Sequence, residues 1–230
     1  MNTSPPRAVL FDALGTLFAI TPPHVIFSHA MIRLGYQVSE NDAARLVARA
    51  NAWWLDPTRP QARTRAEEMI ERREYVEAVL EDAGRENDNQ LADRLVAATY
   101  WPQWVRPYPD ALPALQALAG TLQLAVLTNG GPSMQDAVEH AGHAGYFEQV
   151  FASLETGVRK PDADAYLSAV GQLNIEPQAV WMLDDTPENV AAAEAAGLRG
   201  ALVDRRGRYG DWPGVCIIDL EELPAVIGRP

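Results

Sequence analysis

Five polar side chains come immediately after short apolar runs. They are Asp12, the pair Thr128 and Asn129, and the pair Asp184 and Asp185. Short apolar runs are typical of strands buried on both faces, and parallel sheets bind ligands outside the carboxyl ends of their strands. We therefore expect these side chains to meet at one edge of a sheet, where three unpaired carboxylates would repel one another. A divalent cation removes that repulsion, and a set of oxygen ligands favours Mg²⁺.

The apolar runs alternate with helical patterns along most of the chain. Strands are predicted at residues 8–11, 122–127, 150–152, 179–183, 200–203 and 215–218. Helices are predicted between them at residues 111–118, 133–141, 164–173 and 187–196. Strands separated by helices indicate βαβ units, which are joined in a parallel sheet. The sequence therefore predicts an α/β fold with a Rossmann-like parallel-sheet core.

Residues 18–105 interrupt this alternation, because they contain helical patterns and no strand pattern. The helical patterns cover residues 26–34, 40–54, 65–83 and 89–100. We expect residues 1–17 and 106–230 to form the α/β core domain, with residues 18–105 inserted as an all-helical domain. Four tryptophans of the insertion are expected to fill its core: Trp53, Trp54, Trp101 and Trp104. Residues 205–213 are expected to form a surface loop without a role of its own.

The composition of the chain restricts its partners and its compartment. The 230 residues include 19 Lys and Arg against 31 Asp and Glu, so the formal net charge is −12. An acidic chain repels nucleic-acid phosphates and anionic lipid, so neither nucleic acid nor a membrane is the expected partner. The single cysteine, Cys216, cannot form an internal disulfide, which is typical of a cytoplasmic protein. We expect a monomer or homodimer that binds a small molecule.

Four motifs, in chain order, resemble those of the haloacid dehalogenase (HAD) superfamily. They are FDALGTL at residues 11–17, LTNG at 127–130, GVRKPD at 157–162 and LDDTPEN at 183–189. The helical insertion between the first and second motifs resembles the cap of subclass I of this superfamily. The third motif contains Lys160, which is the single lysine of the chain.

The resemblance implies a phosphatase that acts on a small phosphomonoester. Asp12 would be the nucleophile, and its attack on phosphorus would give an aspartyl-phosphate that water then hydrolyses. Thr128 and the backbone N–H of Asn129 would hold the phosphoryl oxygens. Lys160 would neutralise charge on Asp12 and on the phosphoryl group.

The resemblance also implies a set of ligands for Mg²⁺. Asp12, the backbone carbonyl of Leu14 and Asp185 would bind the ion, and Asp184 would bind it directly or through water. One residue departs from the phosphatase pattern, because those enzymes usually carry a second aspartate where this chain has Leu14. Leucine cannot transfer a proton, which implies slow turnover, a leaving group that needs no acid, or a proton carrier elsewhere.

Two other functions are compatible with the sequence. The 2-haloacid dehalogenases of the superfamily also lack the second aspartate and need no metal, but they lack the acidic pair that Asp184 and Asp185 preserve. A phosphate-binding or partner-binding protein with impaired catalysis is the third possibility, and Leu14 favours it. The retention of Asp12, Thr128, Lys160 and both acids of the fourth motif argues against it.

The departure at Leu14 makes a testable prediction. If the protein is a phosphatase without its acid–base group, Leu14→Asp should raise turnover of alkyl phosphates, whose leaving oxygen needs a proton. The gain should stay below the roughly 10²–10⁴-fold expected of a well-placed group, because the surroundings accommodate a leucine. Pre-steady-state and steady-state phosphate release would be measured for alkyl and aryl phosphates. Aryl phosphates are the control, since their first step should gain less. A folded variant without any gain on alkyl phosphates would contradict the prediction.

Overall fold

The computed structural model describes residues 5–56 and 58–228. Its strands are β1 (Ala8–Phe11), β2 (Phe18–Ile20), β3 (Val105–Pro107), β4 (Gln123–Thr128), β5 (Gln149–Ala152), β6 (Val180–Asp184), β7 (Arg199–Val203) and β8 (Val215–Ile217). Its α-helices are α1 (Pro23–Arg33), α2 (Glu40–Trp54), α3 (Arg65–Asp82), α4 (Asn89–Ala98), α5 (Ala111–Leu118), α6 (Met134–His140), α7 (Ser153–Thr156), α8 (Ala163–Gln172), α9 (Pro187–Ala195) and α10 (Leu223–Val226).

The chain divides into two compact units. The sheet unit comprises Met1–Ala19 and Arg106–Pro230, and the helical unit comprises Ile20–Val105. Within the described part of the chain, no helix combines the length and the apolar composition needed to cross a bilayer.

The sheet unit is built on a six-stranded sheet with the order β5-β4-β1-β6-β7-β8. Its neighbouring strands all run parallel. Each residue of β1 is buried, as is each residue of β6, which explains why both strands appear in the sequence as continuous apolar runs. The predicted α/β fold is confirmed. Because β1 lies between β4 and β6, the carboxyl ends of these three strands are adjacent.

The helical unit has an apolar core of its own. Phe27, Val47, Val76, Leu80 and Leu95 are buried together, and they come from all four of the helices α1 to α4. A capping box at the start of α3 and a serine cap at the start of α2 fix where these helices begin.

The expectation that the four tryptophans fill this core is wrong, because none of them belongs to it and each is only half-buried. Trp53 and Trp54 are only half-buried at the C-terminal end of α2, and the guanidinium of Arg59 lies 4.2 Å from the ring centre of Trp53. Arg59 also donates two hydrogen bonds of 2.9 Å to the carboxylate of Glu71. The indole rings therefore cover an ion pair at the edge of the unit, because the smaller aliphatic side chains already fill its interior.

The expectation that residues 18–105 contain no strand is wrong at both ends of that segment. The strands β2 and β3 pair with each other in a separate two-stranded sheet. Each has only three residues, which is too short to give an alternating apolar pattern in the sequence.

The packing of β7 against α9 depends on a glycine. A Cβ atom at Gly200 would lie 2.6 Å from Cγ1 of Val190 and 2.8 Å from Cγ of Glu194. Val190 is fully buried and cannot move aside without disturbing the core. The absence of a side chain at this position therefore sets how closely the helix approaches the sheet.

We predict that Gly200→Ala lowers the free energy of unfolding by about 1–3 kcal/mol, because the added methyl group overpacks this contact. Gly171→Ala is the matched control, since Gly171 lies within α8 and a Cβ there would meet nothing within 4 Å. The control should raise the free energy of unfolding by roughly 0.5–1 kcal/mol through the higher helix propensity of alanine. Urea unfolding of both variants measures the two effects. Equal stabilities would show that the sheet and helix adjust freely.

Candidate active site

The candidate site lies at the adjacent carboxyl ends of β1, β4 and β6. Asp12 follows β1 and remains tied to the sheet, since its backbone N–H donates to the carbonyl of Leu183 at 2.8 Å. Thr128 is the last residue of β4 and Asp184 is the last residue of β6, and both are buried. Carboxylate oxygens of Asp12, Asp184 and Asp185 lie within 4.8 Å of one another. The structure thus brings together the three acids that the sequence placed at strand ends.

Lys160 joins two of these acids through its ammonium group. Its Nζ donates to Oδ1 of Asp12 at 2.7 Å and to Oδ2 of Asp184 at 2.6 Å. The side chain is only 1% exposed. Burial opposes the charged form of Lys160, but Asp12 and Asp184 outweigh that effect and raise its pKa. The lysine is therefore held as a cation inside the protein.

Asn129 holds the backbone of Lys160 in place. The side-chain amide of Asn129 donates to the carbonyl of Lys160 at 2.8 Å, and its Oδ1 accepts from the N–H of Lys160 at 2.9 Å. The two bonds engage both ends of the amide, so this side chain orients the lysine. The role expected for Asn129 from the sequence used its backbone N–H, which these bonds leave untouched.

Asp184 is fixed by donors in addition to the lysine. Its carboxylate accepts from the N–H of Thr186 at 2.9 Å, and from the Asn189 side chain at 3.0 and 3.1 Å. Asn189 is held in turn, since its backbone carbonyl accepts a hydrogen bond of 2.8 Å from the hydroxyl of Tyr166. Asn189 belongs to the LDDTPEN motif, but the sequence indicated no role for it. Its position five residues after Asp184, in the first turn of a helix, was the available signal.

Asp185 lacks comparable partners among the described residues. Its Oδ1 accepts one long bond of 3.4 Å from the hydroxyl of Thr186. Burial, followed by the charge of Asp184, raises the pKa of Asp185. Gly15 approaches this carboxylate so closely that a Cβ at Gly15 would lie 2.2 Å from Oδ2 of Asp185. Only glycine fits there, and its φ of +95° is also a conformation that glycine adopts readily.

The charges of the cluster do not balance. Asp12, Asp184 and Asp185 face one ammonium group, and burial raises the pKa of Asp12 to about 7 despite the opposing effect of Lys160. A group of carboxylate oxygens in this arrangement suits Mg²⁺, because a hard cation prefers oxygen ligands and would relieve the repulsion. The donor set therefore fits the expected metal ion.

The remaining predicted residue, Leu14, lies in the turn after Asp12. Its side chain is half-buried and carries no group that could transfer a proton. A further contact that the sequence did not indicate involves Ser153, whose hydroxyl accepts from the N–H of Gly130 at 3.2 Å. This bond supports the turn that follows β4, next to Thr128 and Asn129.

The fold and the buried aspartate–lysine pair define a class of α/β proteins with a candidate carboxylate nucleophile at a strand end. The sequence profile of the haloacid dehalogenase-like hydrolases matches residues 6–197. The chain belongs to this family, and the resemblance stated from its motifs is confirmed.

Known relatives include phosphatases and dehalogenases. The chain is 33% identical over 142 residues to phosphatase MT3486 of Mycobacterium tuberculosis, covering 60% of this chain and 64% of that protein. It is 36% identical over 122 residues to phosphoserine phosphatase of Thermus thermophilus, covering 50% and 49%. The matches thus span about half to two thirds of these relatives. The crystal structure of 2-haloacid dehalogenase from Pseudomonas syringae pv. Tomato DC3000 has a TM-score of 0.70 and 26% identity, covering 96% of this chain and 98% of that one.

We predict that Lys160→Met destabilises the protein strongly when no metal is bound. The change leaves Asp12 and Asp184 buried without their shared cation, and breaking a buried ion pair in this way costs about 3–5 kcal/mol. Urea unfolding in EDTA would measure the loss. Arg206→Met is the matched control, because Arg206 is exposed and its removal also deletes one positive charge. A Lys160→Met variant as stable as the control would contradict the electrostatic account of the site.

Proposed function

We propose that this protein is an Mg²⁺-dependent phosphatase that acts on a small phosphomonoester through an aspartyl-phosphate at Asp12. One observation carries the proposal: Asp185 adds a third carboxylate beside Asp12 and Asp184, while Lys160 already binds the other two. A half-buried carboxylate beside two others, with only one long hydrogen bond described for it, is costly, so the cluster favours a bound divalent cation. Asp12, Asp185 and the backbone carbonyl of Leu14 would hold it, with Asp184 directly or through water. When bound, Mg²⁺ supplies positive charge that lowers the repulsion between a carboxylate nucleophile and a phosphate dianion.

Asp12 can attack through the oxygen that Lys160 leaves open. The hydrogen bond described for its carboxylate falls on Oδ1, so Oδ2 would form the new bond to phosphorus. The ester P–O bond breaks as this bond forms, and the leaving alkoxide takes a proton. Water then attacks the same phosphorus, and the bond between phosphorus and the Asp12 oxygen breaks, which regenerates the carboxylate. The water supplies the hydroxyl of the phosphate and releases one proton, which balances the proton taken by the alkoxide. Ester and water are thereby converted to alcohol and phosphate.

Other groups at the strand ends would bind the phosphoryl oxygens. Thr128 is buried at the end of β4, and the N–H of Asn129 follows it in the chain. The ammonium of Lys160 would stabilise the charge that spreads over the phosphoryl group, and it is already fixed in position before substrate arrives.

Leu14 restricts the leaving group. Since it cannot donate a proton, an alkoxide must obtain one from solvent, from another residue or from the substrate itself. We therefore expect phosphomonoesters whose leaving oxygen is already a weak base to react fastest.

A metal-independent 2-haloacid dehalogenase is the second candidate, and it too is favoured by Leu14. In that reaction Asp12 would attack carbon and displace a halide, which leaves without a proton. Water would then hydrolyse the ester at Asp12. Similarity to the Pseudomonas syringae enzyme is compatible with this reaction. We rank it second because it gives no reason for the acidic side chain of Asp185.

The proposed function also includes a location and a kind of partner. The acidic chain with one cysteine fits a cytoplasmic enzyme that acts on a free small molecule, as a monomer or homodimer.

We predict that the purified protein releases phosphate from phosphomonoesters, that EDTA stops this release and that added Mg²⁺ restores it. Phosphate and halide would be assayed in parallel, with phosphomonoesters and 2-haloacids as substrates. Asp12→Asn should abolish turnover, because the amide keeps the shape of the carboxylate but is a poor nucleophile. Halide release that is indifferent to EDTA would establish the dehalogenase instead. Absence of both products would favour the catalytically impaired alternative.

The role of Asp185 has a matched control in the same experiment. Asp185→Asn should raise the Mg²⁺ concentration needed for half-maximal activity by at least about tenfold, since it removes a charged ligand. Asp164→Asn deletes the same charge at an exposed position in α8 and should leave the Mg²⁺ dependence unchanged.

A further inference from the structure

Arg205 makes a set of contacts that a surface-loop residue would not make. It lies two residues after β7, in the segment that the sequence predicted to be a loop without a role. Its Nε donates to the carbonyl of Gly15 at 3.2 Å, and its Nη2 donates to the carbonyl of Thr16 at 2.7 Å. Both carbonyls belong to the turn that follows Asp12. The guanidinium thus binds the backbone of the candidate nucleophile's own loop.

The guanidinium is itself fixed on two other sides. Its Nη1 donates to Oδ2 of Asp110 at 2.9 Å, and its Cζ lies 3.9 Å from the ring centre of Tyr108. Asp110 also accepts from the N–H of Leu220 at 2.6 Å, which ties the carboxylate to the chain after β8. The side chain of Arg205 is 16% exposed and that of Asp110 is 11% exposed, so water screens this ion pair poorly.

The loop has few other links to the rest of the sheet unit among the described contacts. The N–H groups of Gly15, Leu17 and Phe18 bond to carbonyls within the loop itself. The hydroxyl of Thr16 is buried and has no hydrogen-bond partner among the described residues. Besides Arg205, the bond from the N–H of Tyr108 to the carbonyl of Leu17 at 3.0 Å links the loop to later residues, and β2, which begins at Phe18, pairs with β3.

The position of the loop matters to the site because Gly15 packs directly on Asp185. Arg205 therefore holds the carbonyl of Gly15, and Gly15 packs against the carboxylate of Asp185, one of the three clustered acids. A shift of the loop would change how Gly15 packs on Asp185, and with it the position of Asp185 relative to Asp12. It would also move the backbone of Leu14, which lies between Asp12 and Gly15.

We propose that Arg205 is a positioning residue that fixes the loop after Asp12 and thereby sets the geometry of the nucleophile relative to Asp185. This inference rests on the proposed role of Asp12 as nucleophile. The guanidinium is suited to the task because its planar fork donates to two carbonyls and one carboxylate at once, whereas an ammonium group cannot match that geometry.

The experiment compares Arg205→Gln, Arg205→Lys and Arg206→Gln with the wild-type full-length protein. Arg206→Gln is the matched control, because it deletes the neighbouring exposed charge. Amide hydrogen exchange would be followed in peptides covering residues 12–19 and, as an internal reference, in peptides covering β4. We expect faster exchange in residues 12–19 of Arg205→Gln, an intermediate rate in Arg205→Lys, and wild-type rates in β4 and in the control.

Kinetics on a substrate that the wild type turns over provide the second readout. We expect kcat of Arg205→Gln to fall by about 10²-fold with little change in KM, because a misplaced nucleophile affects the reacting state more than binding. Arg205→Lys should recover part of this loss. Unchanged exchange in residues 12–19 would overturn the proposal, as would faster exchange there with unchanged kcat. Equal acceleration in β4 would also overturn it, since Arg205 would then stabilise the fold in general.

The two proposals can fail separately. If the wild type hydrolyses no phosphomonoester, the proposed phosphatase activity fails, whereas kinetics on a 2-haloacid would still test the positioning of Asp12. If the wild type is an active phosphatase and Arg205→Gln retains full kcat, only the inference about Arg205 fails.

Discussion

The buried contact of Lys160 with Asp12 and Asp184 is the interaction on which the site depends. An ammonium group taken out of water is stable only when it is paired and hydrogen-bonded, and here two carboxylates from adjacent strands supply both conditions. The register of β1 against β6 places those carboxylates side by side, with Phe11 opposite Leu183. The sheet therefore positions the charges, and the charges in turn disfavour any slip of the sheet.

Three side chains around this contact form hydrogen bonds with backbone atoms or with carboxylates. Asn129 binds the backbone of Lys160, and Asn189 binds the carboxylate of Asp184. Arg205 binds the carbonyls of the loop after Asp12. Each contact removes freedom from a group that would otherwise reorganise during a reaction, and preorganised polar groups are the main source of electrostatic stabilisation in enzymes. The three side chains thus share one effect, although they lie far apart in the sequence.

The excess negative charge of the cluster and the absence of an acid at Leu14 favour different reactions. Asp185 leaves the cluster with more negative charge than Lys160 can balance, which favours a divalent cation and a phosphate substrate. Leu14 removes the usual proton donor, which would matter least for a halide leaving group. We give more weight to Asp185, because a half-buried carboxylate has an energetic cost that a bound cation would offset, whereas leucine at position 14 carries no charge that needs a partner.

Much of the fold and part of the site could be predicted from the sequence, because both depend on short-range patterns. The apolar run at residues 8–11 and the aspartate that follows it determined a buried strand with Asp12 at its end, and the same reasoning placed Thr128 and Asp184. Patterns of this kind repeat within a few residues, so they can be recognised without the three-dimensional structure. The strands β2 and β3 escaped prediction because three residues carry no periodicity, and the tryptophans were misplaced because hydrophobicity alone does not say which apolar side chains reach a core.

Only the tertiary structure decided the long-range polar partners. Gly15 and Arg205 are separated by 190 residues, and an arginine in a loop has the same local sequence whether it is solvated or bound to a carbonyl. The pairing of Asn129 with Lys160 is hidden for the same reason, since the Asn129 side chain bonds to backbone atoms of Lys160 and such a contact leaves no spacing pattern. The local sequence determines where a strand ends. Partners across the sheet depend instead on how whole helices and strands pack, and that packing results from many contacts between residues far apart in the chain.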